Sequence, residues 1–228
     1  MTQAAISEPM ADVRDMYMAH RMFRREFRLL PQLVRDVRPG DTERAAIVAD
    51  HADKICAILD AHHEGEDAVV WPLLLARGGE RSETIVPVME EQHHGIHEAL
   101  TTVALLFPAW RATAQRGEEL ASATDVLVDR LVEHMAMEET EILPLAEQYV
   151  TAAEWAVFGE HAFSSLPKKT LALGFGMVMY EGDAEVIKEV LANAPFVPRL
   201  VMPRLGPRLY ASHATRVHGT ATPPRLGR

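Results

Sequence analysis

The chain has 228 residues and a formal charge of −10, with 48% hydrophobic and 25% charged residues, the balance of an ordinary globular protein rather than a disordered or fibrous one. The acidic balance argues against nucleic acid as a main partner, because phosphate binding needs a concentrated basic surface. A single cysteine, Cys56, excludes an internal disulfide and any zinc ribbon or iron–sulfur cluster built by this chain alone, so a metal here would rely on nitrogen and oxygen donors, for which there are 11 histidines.

The first twenty residues carry Glu8, Asp12, Arg14 and Asp15 without an apolar run behind a basic start, so no signal peptide is expected. The longest apolar stretch, Leu171 to Tyr180, is about half the length of a membrane-spanning helix. A soluble cytoplasmic protein with no membrane span is expected.

Apolar residues then recur at helical spacing through four long segments. The first runs from about Asp12 to Arg38 and stops at Pro39-Gly40. The second begins near Asp41-Thr42, either of which can cap it, and ends at Gly78-Gly79. The third starts after Ser82 and runs to about Thr113, and the fourth spans roughly Glu119 to Tyr149. Connections this short make sequential helices antiparallel neighbours, which predicts an all-α, up-down-up-down four-helix bundle over residues 1–150. Bends are expected at Pro31, Pro72, Pro108 and Pro144, whereas Pro87 fits a first helical turn.

After Tyr149 the character changes, and residues 151–228 read as a helical C-terminal extension. Thr151 and Glu154 have the spacing of a capping box that opens a short helix, and two more cover Pro167 to Tyr180 and Asp183 to Asn193. From Pro195 onward there is no acidic residue, only arginines among prolines, which reads as a basic arm packed on the acidic bundle. The last ten residues read as disordered. The apolar run Leu171 to Tyr180 calls for cover, either from the bundle or from a second copy in a homodimer.

The strongest chemical signal is an echo between the second and fourth helices. His62 is followed four residues on by Glu66, then Asp67, with Pro72-Leu73 six residues after the glutamate; His134, Glu138, Glu139 and Pro144-Leu145 repeat that spacing. Residues four apart lie one above the other on a helix, so each segment aims one imidazole and one carboxylate at the same point. A two-metal site in a bundle core needs that arrangement, with carboxylates to bridge the cations and imidazoles to cap each of them. The other helices contribute His20, on the stripe of Met16, Tyr17, Phe23 and Phe27, and the pair His93 and His97, four apart. With about six ligands per metal, the five histidines 20, 62, 93, 97 and 134, the bridging Glu66 and Glu138 and an oxo or hydroxo bridge leave one position open for a small ligand.

The chain therefore resembles the hemerythrin family, in particular the bacterial hemerythrin-like HHE cation-binding domains. The likeness covers about residues 12–149 and rests on His20, His62-x-x-x-Glu66, His93-x-x-x-His97 and His134-x-x-x-Glu138. It implies two iron ions joined by an oxygen bridge, and binding, sensing or turnover of dioxygen, hydrogen peroxide or nitric oxide. Classical oxygen carriers place an aspartate five residues after the histidine, where this chain has Glu138 at four, and this weakens the case for reversible oxygen carriage.

His63 and Asp67 repeat the four-residue spacing one position along, but alignment with His134, Glu138 and the shared proline favours His62 and Glu66. Glu64 is an accessory candidate. His94 lies about 100° around the helix from His93 and reads as exposed. His51 reads as core or as a neighbour of the ligands, and His161, His213 and His218 as surface. Trp71, Met135 and Met137 read as packing. Tyr17, one turn from His20, is the candidate catalytic side chain, lining the open position or donating an electron, against a plain core role.

Two functions compete on this sequence. One is an enzyme that consumes hydrogen peroxide in a catalase-like reaction or reacts with nitric oxide; the other is a non-catalytic carrier or sensor of dioxygen or iron. A ferritin-like oxidase is disfavoured because its Glu-x-x-His motif is needed on two helices, and only Glu90-x-x-His93 supplies it convincingly within the bundle.

Overall fold

Helix α1 (Arg14–Arg35) is followed by a turn at Gly40, whose φ of +88° is strained for any residue with a Cβ. Asp41 then starts α2 (Thr42–Gly65), its carboxylate accepting the Arg44 N–H at 3.0 Å. The computed structural model describes residues 8–164, 166–194 and 196–225.

Where α2 ends, the two echoed prolines shape the backbone. Pro72 has no N–H to give the carbonyl four residues back, and its ring would strike that carbonyl. The helix widens instead into a π turn (Glu66–Val70), in which the Trp71 N–H reaches the Glu66 carbonyl, before α3 (Trp71–Arg77). The same happens after α5 (Gly117–Met137): the π turn Glu138–Ile142 has the Leu143 N–H on the Glu138 carbonyl, and α6 (Leu143–Tyr149) follows with Pro144 in its first turn. The expected bends at these prolines are thus single wide turns, each opening on a glutamate.

Between them, α4 (Gly79–Thr113) starts at Gly79, with φ +60°, earlier than the expected start after Ser82. Ser82 is buried within the helix, and Pro87 lies well inside it rather than in the first turn. Pro87 and Glu83, whose carbonyl loses its partner, are both exposed, so water can serve the freed group. Helix α1 packs on α2 and α5, and α4 packs on α2 and α5, which is the up-down-up-down arrangement.

Two apolar clusters fill the bundle. One holds Phe23, Phe27, Leu30, Ile55, Leu59 and Trp110; the other holds Met16, Trp71, Leu74, Met89, Leu143 and Trp155. Burying each large side chain contributes about 1.5–3 kcal/mol. His20, His62, Glu66, His93, His134 and Glu138 fall where the helices pass from one cluster to the other, so a polar layer is clamped between two dry ones.

Helix α7 (Ala152–Ser164) opens with the expected capping box: the Thr151 hydroxyl accepts the Glu154 N–H at 3.3 Å and the Glu154 carboxylate accepts the Thr151 N–H at 3.0 Å. Then come α8 (Lys168–Glu181) and α9 (Ala184–Asn193), the latter capped by Asp183. The stretch expected as a basic arm is instead helix α10 (Phe196–His218), with Pro203 and Pro207 inside it; Pro195 lies outside the described residues. Helix α8 lies on α1 and α2 and is itself covered by α10. The α8–α10 crossing needs glycine, since a Cβ on Gly176 would stand 2.4 Å from the Gly206 carbonyl oxygen. Part of the expected disordered tail is also in place: the Tyr180 hydroxyl donates to the Pro223 carbonyl at 2.8 Å and Arg225 lies over the Tyr180 ring. Residues 226–228 lie outside the described residues. Among the described residues, no helix is long and apolar enough to cross a membrane.

Candidate metal centre

Each π turn puts its first residue, Glu66 or Glu138, into the polar layer with at most 1% exposure. Their carboxylates meet imidazoles from all four bundle helices. Glu66 Oε1 is 3.1 Å from His62 Nε2 on its own helix, and Glu66 Oε2 is 3.4 Å from His93 Nε2 on α4. Glu138 Oε2 stands 3.1 Å from His20 Nε2 on α1 and 3.6 Å from His134 Nε2 on α5. Within this layer two donor groups form, each with ligand atoms within 4.8 Å of one another: His20, His62, Glu66 and Glu138, and beside it His63, Glu66, His93 and His134. Glu66 belongs to both.

The donor atoms fit a cation. The Nε2 atoms of His20, His62, His93 and His134, both oxygens of Glu66 and Oε2 of Glu138 are all buried without a hydrogen-bond partner. Buried polar atoms are nearly always partnered, and this many orphans converging in one layer is the arrangement a metal ion satisfies. Nitrogen and carboxylate donors suit iron and zinc better than magnesium or calcium.

The far sides of the imidazoles are held by the residues after the two glutamates. Asp67 Oδ1 is 2.7 Å from His93 Nδ1 and accepts the Trp71 indole N–H at 2.8 Å. Glu139 Oε1 is 3.0 Å from His20 Nδ1 and accepts from Arg24 Nη1 at 2.6 Å. His134 Nδ1 meets Gln92 Oε1 at 3.3 Å. Such partners fix the tautomer, leaving Nε2 free for a metal. The acidic residue repeated after each glutamate therefore orients a histidine on a different helix, which sequence spacing alone did not bring out.

Electrostatics point the same way. Burial and the neighbouring Glu138 push the Glu66 carboxyl up to about 8, because two carboxylates this close in a dry layer resist being charged together. Burial lowers His20 and His93, but Glu138 and Glu139 around the first, and Asp67 and Glu66 around the second, more than offset it and hold each at about 9. Burial and cationic neighbours keep His62 near 3 and His63 well below its ordinary value. Without metal, protons on His20 and His93 stand in for cations.

A groove of about 510 Å³ leads in from solvent beside the second donor group, lined by Asp60, His63, Asp67, Glu90, His93 and His97 among others. Of the expected ligands, the structure brings His20, His62, Glu66, His93, His134 and Glu138 together and leaves His97 exposed on the groove wall, outside both groups. It adds His63, buried and stacked on His93 at 4.2 Å between ring centroids. Tyr17 is outside both groups, its hydroxyl donating to the Glu139 carbonyl at 3.4 Å. Two surface expectations are corrected: His213 is buried, and the His218 side chain is 5% exposed, both because they face Glu26 and His51 rather than solvent. His161 and His94 are exposed.

An antiparallel helical bundle with a buried layer of histidines around two carboxylates defines a cation-binding helical protein. The hemerythrin HHE cation binding domain matches residues 11–146, and the chain belongs to that family. It is also similar to a protein of Edwardsiella ictaluri (strain 93-146) named iron-sulfur cluster repair protein YtfE, with 28% identity over 150 residues, covering 63% of this chain and 67% of the relative. No solved structure matches.

Proposed function

We propose that the two donor groups hold a pair of irons with Glu66 shared between them, and that this centre consumes hydrogen peroxide in a catalase-like reaction or reacts with nitric oxide. When bound, the irons would supply the redox change. His20, His62 and Glu138 would hold one of them, His63, His93 and His134 the other, and Glu66 would serve both. Asp67, Glu139 and Gln92 keep the imidazoles turned inward. His97 and Tyr17, the further ligand and catalytic candidates of the sequence, sit on the groove wall and behind Glu139, where they would move protons or steady the layer.

The observation that carries the reading is the groove. Reversible carriage of dioxygen calls for a dry, apolar pocket, whereas Asp60, Glu90, Asp67 and His97 line this approach with groups that accept and deliver protons. The likeness to a protein named for iron–sulfur cluster repair supports a second reading, in which the same centre serves such repair. Hydrogen peroxide added to the iron-loaded protein in an oxygen electrode should give oxygen over many turnovers. A single stoichiometric colour change, reversed on removing the ligand, would contradict turnover and favour a carrier or sensor.

A further inference from the structure

A second buried polar cluster lies away from the HHE centre, where α10 closes on the bundle. Glu26, in the middle of α1, is fully buried; its Oε1 accepts from Arg25 Nε at 2.8 Å and from the Tyr210 hydroxyl at 2.8 Å. Its other oxygen, Oε2, faces two imidazoles, His51 Nε2 on α2 and His218 Nε2 at the end of α10, each at 3.4 Å. None of these three atoms has a hydrogen-bond partner, although all are buried.

The surroundings hold the three donors in place. His51 Nδ1 is 3.0 Å from His213 Nε2, a contact that turns His51 Nε2 toward Glu26. His218 is the last residue of α10, which ends at Gly219 with φ +72°. The Arg44 guanidinium from α2 binds the Arg216 and Val217 carbonyls and so anchors that end of the helix.

We propose that Glu26, His51 and His218 form a separate mononuclear site for a divalent transition metal, best suited to zinc. Donors about 2.1 Å from a tetrahedral ion stand roughly 3.4 Å apart, which is the spacing of Glu26 Oε2 from both imidazole nitrogens. Two imidazoles and one carboxylate leave a fourth position for water. Burial pushes the Glu26 carboxyl up, but His218 and Arg25 more than offset this and keep it charged, while burial takes His51 down to about 3 and keeps it neutral. In the tautomer that gives its Nδ1–H to His213, the neutral His51 imidazole turns a lone pair toward the carboxylate, and a cation between them satisfies both. The ion would tie the C-terminal helix to α1 and α2, so the site exists only when α10 is docked.

The test is cobalt(II) added to chelator-treated full-length protein, beside metal analysis of protein grown with iron and zinc. The wild type should hold one more ion per chain than the HHE centre accounts for, with the intense visible bands of four-coordinate cobalt. His218→Ala should lose that ion and those bands while the iron content stays unchanged. His218→Cys should keep the ion and add a near-ultraviolet thiolate-to-cobalt band. A wild type with no such ion, or the same bands and metal count in wild type and His218→Ala, would overturn the proposal and leave a proton-linked network only.

Discussion

Glu66→Ala should empty the HHE centre, with iron falling from about two per chain to near zero, because Glu66 is the one residue shared by both donor groups. Glu138→Ala should come close to this, since its Oε2 faces both His20 and His134. Even partners behind metal ligands cost about 10–100-fold in affinity when removed, and a shared ligand takes away more. The variants should stay folded, because the substitution also removes one of two buried carboxylates that oppose each other without metal; circular dichroism checks this. His97→Ala is the contrast and should keep its iron, whereas His63→Ala should lower it. The reverse result, iron lost with His97 and kept without His63, would restore His97 as a second ligand on α4 beside His93.

Arg25→Met should be the most damaging change outside the centre, costing about 3–5 kcal/mol, because it removes one partner of a fully buried charge network. Arg25 is 0% exposed; its guanidinium serves Glu26 and Glu181 and donates to the Met177 carbonyl at 2.9 Å. The methionine would leave two carboxylates buried without it, one on α1 and one on α8. Against a typical stability of about 5–15 kcal/mol, that is a large share. The urea midpoint should fall steeply, and a midpoint within error of the wild type would contradict the assigned role. The exposed pair of Arg14 and Asp12 should show little effect when broken.

Much of the donor layer was legible because its side chains follow helical spacing. The matched His-x-x-x-Glu segments located Glu66 and Glu138, and the shared proline marked the turns that begin at them. What spacing hid was the width of the site. Adjacent residues point about 100° apart, so only one of His62 and His63 was expected inside; two neighbouring donor groups accommodate both, one on each side of Glu66. The single-point picture likewise took His97 inward from His93, although one turn on it already faces solvent. The role of Asp67 and Glu139 needed tertiary contact, because each holds a histidine on another helix.

The C-terminal region was less legible for a different reason. Pro203 and Pro207 and the lack of acidic residues hid a helix that is formed nonetheless across residues Phe196–His218. What holds it is docking: the glycine crossing with α8, the Tyr210 hydroxyl on Glu26 and Arg44 at its end. The signal left unread was Arg25-Glu26 between Phe23 and Phe27, since a charge pair inside an apolar stripe demands partners from elsewhere.

The central claim is tested most directly by measuring iron per chain, with an optical spectrum, on protein purified from iron-replete medium. The account predicts about two irons per chain, with the near-ultraviolet absorption of an oxygen-bridged ferric pair. Protein that reproducibly carries zinc and no iron in the HHE centre would contradict it.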